Sequence, residues 1–239
     1  MGKNATSDRL ESYAKMLGGG RTYDFSQASA FKVAESTGPD QGKMYKMVMR
    51  NGKPMGGVCA TLCAFWVVFH AQQDAPKGGH SFTRGRSVWD YLFQDGGLNT
   101  GAATNITVEH FNSTGNQIGY LDAFMKKFKV ERRAKRMSGS MITATPMVMS
   151  YTTLMQCSRH MTAIGGYKLL SLKPNTNGTG PGHMVSVWCD LGDVLFMDPN
   201  YGEFWLPDRA KFAAWFQFYV MNTYRTSFKS VTVYDYVVK

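Results

Sequence analysis

The stretch HMVSVWCDLGDVLFMD, residues 183 to 198, constrains the fold more than any other part of the sequence. Two apolar runs flank a central Asp-Leu-Gly-Asp, which is typical of a β-hairpin closed by a tight turn. A two-residue turn at Leu191 and Gly192 pairs Asp190 with Asp193. The sequence therefore predicts antiparallel strands in the last third of the chain.

The register of this hairpin brings His183 and Asp198 to one face. It sets Asp198 opposite Val185, and His183 lies two residues before Val185, so the strand period of two puts all three on the same side. His183 and Asp198 are then diagonal neighbours, roughly 7–8 Å apart by backbone, which an Asp–His pair can bridge. A three-residue turn would instead send Asp198 to the opposite face. Asp198 also starts an Asp-Pro-Asn turn, a role that is compatible with the first.

The remaining patterns order helices before strands, which predicts an α+β fold. Residues 146–158 are ambiguous between helix and strand. Helical patterns occupy residues 6–17, 26–36, 59–73, 87–94, 104–112, 116–128 and 207–224, and strand patterns occupy residues 43–50, 161–173, 183–189, 194–198 and 229–238.

The stretch MGGVCATLCAFWV, residues 55 to 67, places Cys59 in the first turn of an apolar helix. Main-chain N–H groups and the helix dipole at that position stabilise a thiolate, the reactive form of cysteine. Gly56 and Gly57 permit a sharp entry into the helix. Cys63 lies one turn deeper and is predicted to be core. The alternative is that both cysteines are small apolar residues of a buried stripe.

A cysteine nucleophile needs a base, and the base needs an orienting group. His70 lies on the apolar helix itself, His80 and His110 fall in polar contexts, and His160 is predicted to begin a strand. Only His183 combines an approach through glycine with an apolar strand. It is therefore the candidate base.

Composition limits the classes of protein. The four cysteines form neither a disulfide framework nor a zinc spacing, which favours a reducing compartment. No apolar run is long enough for a membrane span, and residues 1–20 lack the apolar core of a signal peptide. Export, if it occurs, would need another route.

The net charge of +10 favours anionic partners such as acidic proteins, lipid headgroups or nucleic acid. The densest basic run, residues 126–136, contains no aromatic-Gly RNA-binding signature and no zinc-finger spacing. It is predicted to be a solvated helix end and strand face. Nucleic-acid binding is therefore unsupported.

Three segments resemble the papain-like effector cysteine proteases of the YopT/AvrPphB type. GVCATLCAFW matches the family's nucleophile segment, GHMVSVW its histidine strand, and DPNYGEFWLP its Asp-Pro-Asn-aromatic-Gly-Glu-Phe block. The resemblance covers roughly residues 50–220. It implies a papain-like α+β fold with the nucleophile helix packed on an antiparallel sheet. It also implies that Cys59 is the nucleophile, His183 the general base, and Asp198 the group that orients the imidazole.

The same resemblance implies a secreted bacterial effector that cleaves a host protein in the host cytoplasm, without metal or organic cofactor. Residues 46–239 are the predicted catalytic domain. Residues 1–45 are an N-terminal helical segment that either belongs to it or stands apart. The residues leave two alternatives open. The same triad can serve a deamidase or transglutaminase, or the fold can be a non-catalytic binding module with a basic surface.

Two details concern the oxyanion hole and the N-terminus. Family members carry a side-chain amide a few residues before the cysteine, but Pro54 stands five before Cys59 and the nearest amide is Asn51. The predicted oxyanion donors are the Cys59 backbone and Asn51. MGKNAT fits an N-myristoylation pattern at Gly2, which together with the basic surface would favour membrane contact.

Overall fold

The structure is a computed structural model in which two compact units are distinguished. The sheet unit comprises Met1–Phe25 and Arg132–Val237, and the helical unit comprises Ser26–Glu131 and Val238–Lys239. The described residues are 5–27, 30, 49–50, 53–54, 58–73, 86–113, 116–133, 147–148, 151–174, 182–190, 192–225 and 227–239.

These residues form seven helices and twelve strands. The helices are α1 (Ala5–Met16), α2 (Cys59–Gln73), α3 (Val88–Leu92), α4 (Thr100–Asn112), α5 (Gln117–Lys126), α6 (Tyr151–Ala163) and α7 (Arg209–Thr223). The strands are β1 (Gly20–Tyr23), β2 (Met49–Arg50), β3 (Lys53–Pro54), β4 (Phe93–Gln94), β5 (Gly97–Leu98), β6 (Val130–Arg132), β7 (Met147–Val148), β8 (Gly166–Pro174), β9 (His183–Cys189), β10 (Val194–Asp198), β11 (Gly202–Leu206) and β12 (Phe228–Val238).

The sheet unit is built on an antiparallel sheet in the order β1-β11-β10-β9-β8-β12. In the β9–β10 hairpin, Val194 pairs with Cys189 and Met197 with Ser186. The Asp190 N–H donates to the Asp193 carbonyl at 3.2 Å. This is the register of a two-residue turn, so the predicted register is confirmed and the α+β class with it.

Three helices cover one face of this sheet. Apolar residues of α1, α6 and α7 form a single buried cluster with alternate residues of β8 to β12. Along β9 the cluster takes Val185, Val187 and Cys189, and His183 continues the same alternation at the strand's start. The histidine therefore begins on the helix-covered face.

The N-terminal residues are integral to the sheet unit. Strand β1 extends the sheet by pairing with β11, and the Trp215 indole N–H donates to the Leu10 carbonyl at 3.1 Å. Gly202 has φ +99°, and a Cβ there would lie 2.2 Å from the Tyr23 carbonyl oxygen, so this close approach requires glycine. The predicted boundary between residues 1–45 and 46–239 stays a prediction.

Helix α2 is the centre of the helical unit and packs against α3, α4 and α5. Every residue from Cys59 to Phe69 is buried, so the helix is enclosed on all sides rather than along one stripe. The predicted extent of this helix, to Gln73, is confirmed.

Several predicted elements need correction. His160 does not begin a strand, because it lies in α6, where Leu154, Cys157 and Met161 are buried at helical spacing. His110 is not in a polar loop, because it is a buried residue of α4. Strands β1 and β11 were not predicted.

Other predictions fall largely outside the described residues. These are the helix at 26–36, most of the strand at 43–50 and the loop that holds His80. Within the described ranges, no helix combines the length and apolar character needed to cross a bilayer.

Candidate functional site

The β9–β10 hairpin joins His183 directly to Asp198. The imidazole Nε2 lies 2.8 Å from Asp198 Oδ1, and both residues are buried, with 7% and 0% of their surfaces exposed. The diagonal placement across the hairpin produces this contact, as the register predicts. The structure therefore brings together two of the three residues predicted for the triad.

Asp198 accepts four hydrogen bonds. Its Oδ1 accepts from His183 and from the backbone N–H of Asn200 at 2.8 Å. Its Oδ2 accepts from the hydroxyls of Tyr219 at 2.5 Å and Tyr224 at 2.9 Å. Four donors saturate a carboxylate that is itself only an acceptor, so His183 must hold its proton on Nε2 in this contact.

The two tyrosines remain protonated donors. Burial, followed by the nearby Asp198 charge, raises the pKa of both Tyr219 and Tyr224 well above the usual value. Neither hydroxyl therefore ionises near neutral pH. The negative charge of the cluster stays on Asp198.

Aromatic rings confine the imidazole. The ring centroid of Tyr224 lies 5.2 Å from that of His183, and the centroid of Phe228 lies 6.5 Å away. With Nε2 bonded to Asp198, the second ring nitrogen, Nδ1, is the atom that a neutral imidazole offers as an acceptor. The site thus has a base of defined tautomer.

Asp198 also starts a turn, as its sequence context suggests. The Asn200 N–H bonds the carboxylate two residues earlier, which is an Asx turn, and the Tyr201 N–H donates to the Asp198 carbonyl at 3.1 Å. The turn and the histidine contact use the same oxygen. The two roles of Asp198 therefore coexist.

Cys59 is the first residue of α2 in the helical unit. The Leu62 N–H donates to the Val58 carbonyl at 2.9 Å, which closes the first turn around Cys59. Cys59 is 6% exposed and Cys63 is fully buried, so Cys63 is a core residue as predicted. Cys59 thus lies in the first turn of an apolar helix, where the sequence predicts the nucleophile.

The other cysteines of the described chain are poor nucleophiles. Burial raises the pKa of Cys157 to about 12, and burial also raises the pKa of Cys189. A thiol with a raised pKa carries little thiolate near neutral pH. Among the buried cysteines, these two are therefore structural.

The other described histidines have packing or ion-pair roles. The His70 ring lies 5.3 Å from Trp66, and His160 Nε2 lies 3.3 Å from Asp235. Burial lowers the pKa of His110 and keeps it neutral. Within the described ranges, no group of three His, Cys, Asp or Glu side chains is placed to hold a metal ion.

Two predicted site residues, Asn51 and Gly2, lie outside the described residues. Three contributors were missed by the sequence analysis, namely Asn200, Tyr219 and Tyr224. Asn200 carried a usable signal, because it follows Asp198 in an Asp-Pro-Asn turn. The tyrosines carried none, since Tyr219 lies in an aromatic helix and Tyr224 just after it, and only the tertiary structure defines which of their neighbours they contact.

Known proteins resemble the chain over most of its length. It is 26% identical over 204 residues, 80% of its length, to the protein adenylyltransferase and cysteine protease IbpA of Histophilus somni. It is 25% identical over 198 residues to the cysteine protease YopT of Yersinia enterocolitica. The chain spans 5% of the first relative's length and 55% of the second's.

A solved structure and a family profile agree with this likeness. The crystal structure of the Pseudomonas avirulence protein AvrPphB aligns with a TM-score of 0.51 and 20% identity over 76% of this chain and 92% of that one. The likeness establishes the papain-like α+β fold. The profile of Peptidase_C58, described as Yersinia/Haemophilus virulence surface antigen, matches residues 21–236. The chain therefore belongs to the Peptidase_C58 family.

Proposed function

We propose that the chain is a cysteine protease with Cys59 as nucleophile, His183 as general base and Asp198 as the orienting group. The observation that carries the proposal is the buried His183–Asp198 contact through Nε2, made to a carboxylate with four donors. A binding module has no need for an imidazole held in one tautomer. The family relationship supports the same chemistry.

In the acylation step, Nδ1 of His183 takes the Cys59 thiol proton, and Asp198 stabilises the resulting imidazolium. The thiolate attacks the carbonyl carbon of the scissile bond. The tetrahedral oxyanion then collapses, the C–N bond breaks, and the imidazolium returns the proton to the leaving amine. The products are a thioester on Cys59 and a released amine.

In the deacylation step, Nδ1 accepts a proton from water, and the hydroxide equivalent attacks the thioester carbonyl. The thiolate leaves and takes back the proton from the imidazolium, so the net reaction is hydrolysis of one amide bond by one water. First-turn N–H groups point out of a helix end, and we assign that of Cys59 to the oxyanion. Asn51 is the proposed second donor.

We assign the substrate to host proteins and the site of action to the host cytoplasm, after export by a non-classical bacterial route. The relatives named as cysteine proteases support this class. Membrane contact through Gly2 acylation and the net charge of +10 belongs to the same proposal. Residues 46–239 carry the proposed catalytic domain.

The test compares three forms of the chain expressed in host-type cells: wild type, Cys59→Ala and Cys63→Ala. New protein N-termini are labelled and identified by mass spectrometry. We expect termini that appear with wild type and Cys63→Ala but vanish with Cys59→Ala. Because removal of a nucleophile typically costs about 10⁴-fold or more in turnover, the loss should be complete in this assay.

Two other outcomes would replace the proposal. Loss of a Gln or Asn side-chain amide, or new cross-links, without new termini would make the triad a deamidase or transglutaminase. Identical proteomes for wild type and Cys59→Ala, with the same bound partner, would make the chain a binding module. Cys63→Ala controls for the loss of a buried thiol from the same helix.

A further inference from the structure

The two oxygens of Asp198 have different kinds of partner. Oδ1 accepts from His183 and from a backbone N–H, whereas Oδ2 accepts only from two tyrosine hydroxyls among the described contacts. The Oδ2 bonds are within ordinary hydrogen-bond range, and Asp198 is fully buried. The tyrosines therefore hold the oxygen that the histidine does not use.

Each tyrosine is fixed by its own surroundings. Tyr219 is fully buried, with its ring 4.7 Å from Phe196 in an edge arrangement and 5.3 Å from Trp215 in a stack. Tyr224 lies just beyond the end of α7, and its ring lies 5.7 Å from that of Tyr219 and 5.1 Å from that of Phe228, both in edge arrangements. Rings packed in this way cannot follow a carboxylate that rotates.

The Tyr224 hydroxyl accepts one hydrogen bond and donates another. Asn200 Nδ2 donates to Tyr224 Oη at 3.0 Å, so this oxygen acts as an acceptor toward the amide. Its single proton is then available for Asp198 Oδ2, 2.9 Å away. Asn200 thus supports the carboxylate twice, through its backbone N–H and through Tyr224.

We propose that Tyr219 and Tyr224 are positioning residues that fix the rotation of the Asp198 carboxylate and so keep the His183 proton on Nε2. The inference rests on the proposed function for its catalytic consequence. Without the two hydroxyls, Oδ2 would be a buried acceptor without these donors, and it would compete with Oδ1 for the N–H groups of His183 and Asn200. The hydrogen bond from His183 Nε2–H to Asp198 would then no longer be confined to one carboxylate oxygen.

Two measurements test the proposal without knowledge of the substrate. The first is the downfield imidazole N–H proton resonance of His183, assigned by its loss in His183→Gln. The second is the rate of Cys59 alkylation by iodoacetamide at mildly acidic pH, followed on the Cys59 peptide by mass spectrometry. The variants are Tyr219→Phe, Tyr224→Phe and the double change, with Tyr13→Phe as the matched control.

Tyr13→Phe removes a hydroxyl from a ring stacked 4.3 Å from Phe218 of α7, at a position without a described contact to Asp198. We expect it to leave the resonance in place and the alkylation rate within about twofold. Each tyrosine variant should shift or broaden the resonance and slow Cys59 alkylation about tenfold, since a hydrogen bond to a charged group is lost. The double variant should lose the resonance.

If the double variant does not fold, Asn200→Ala provides a milder test, because it keeps the backbone N–H to Asp198 and removes the side-chain amide that donates to Tyr224. An unchanged resonance in the folded tyrosine variants would overturn the proposal, as would its absence in wild type. Wild-type Cys59 that reacts no faster than an ordinary thiol would overturn the proposed protease function. The resonance would still decide the role of the tyrosines.

Discussion

The two units differ in the kinds of side chain that they bury. In the helical unit, α2 is a mostly apolar helix that is buried from Cys59 to Phe69, and Cys59 is its first residue. In the sheet unit, the buried residues include Lys168, Asp198 and Asp235, the three buried side chains of charged type in the described chain. The candidate base is thus hydrogen-bonded to a buried carboxylate beside an apolar cluster, whereas the candidate nucleophile begins an apolar helix.

This difference bears on how each of the two candidate catalytic residues is held within its own unit. Cys59→Ala removes one sulfur atom from the first turn of a helix and leaves the backbone of that turn in place, so we expect it to cost little stability. The buried Asp198 carboxylate accepts hydrogen bonds from the donors around it, so its removal leaves several polar groups without their acceptor. Catalysis and stability should therefore be separable at Cys59 and inseparable at Asp198.

The largest expected effect separates Asp198→Ala from Cys59→Ala. Both variants should lose activity. Asp198→Ala should also lower the free energy of unfolding by about 3 kcal/mol or more, because the Tyr219 and Tyr224 hydroxyls lose their acceptor. Cys59→Ala should change it by about 1 kcal/mol or less. Urea unfolding of the two variants measures the difference, and equal losses would contradict the comparison.

A smaller effect is expected at the second polar cluster of the sheet unit. Lys168 Nζ lies 3.2 Å from Asp235 Oδ1 and donates to the Ile164 carbonyl at 2.9 Å, with the lysine side chain fully buried. Lys168→Met should destabilise the protein by about 3 kcal/mol, because it leaves the buried Asp235 carboxylate without its lysine partner and with His160 as its remaining described basic contact.

The matched control is the double variant Lys168→Met with Asp235→Val. Replacing both members of a buried pair by apolar residues is often close to neutral, so the double variant should recover most of the loss. A double-mutant cycle in urea measures the coupling between the two residues. If the double variant is as unstable as the sum of the single ones, the pair is not coupled as described.

The smallest expected effect is a loss of stability as the pH falls, and it should appear first in the helical unit. Burial lowers the pKa of His110 below its usual value of 6.5. The unfolded chain then takes up a proton before the folded one does, so stability falls as pH drops below about 6.5. Amide protection factors around α4 should decrease over that range in wild type and stay level in His110→Leu.

The sheet unit should respond to acid at lower pH. Burial acts to raise the pKa of Asp235, but the hydrogen bond from His160 and the charge of Lys168 outweigh it, and the net shift is downward from 3.8. A lowered carboxyl pKa contributes stability above the unfolded value, which is lost as pH falls through the folded one. Loss of protection in β12 before α4 would contradict this order.

The sequence predicts the register of the β9–β10 hairpin and the start of α2, because residues close together in the chain determine both. The turn at Gly192 sets the register of the hairpin, and the register alone places Asp198 beside His183. The start of α2 at Cys59 follows similarly from an apolar run behind two glycines. In both cases the determining residues are close in the chain.

Residues far apart in the chain determine the features that the sequence does not predict. Strand β1 has four residues and pairs with β11, about 180 positions away, so no local pattern reports it. The pattern at residues 146–158 is ambiguous between helix and strand, and the sequence predicts a strand from His160 onward, whereas α6 continues to Ala163 and β8 begins at Gly166. The contacts of Asp198 with Tyr219 of α7 and with Tyr224 just after it can be seen only in the folded structure.

The attachment of the N-terminal residues to the sheet unit has a consequence for the order of folding. The Ser7 hydroxyl donates to the Tyr201 carbonyl across 194 positions of chain, and the helical unit occupies most of the sequence between them. During synthesis, residues 26–131 emerge complete while α1 and β1 still await their partners. Most of the helical unit is therefore synthesised before the strands that complete the sheet. We expect the sheet that contains His183 to form late, because its contacts join residues far apart in the chain and such contacts form slowly.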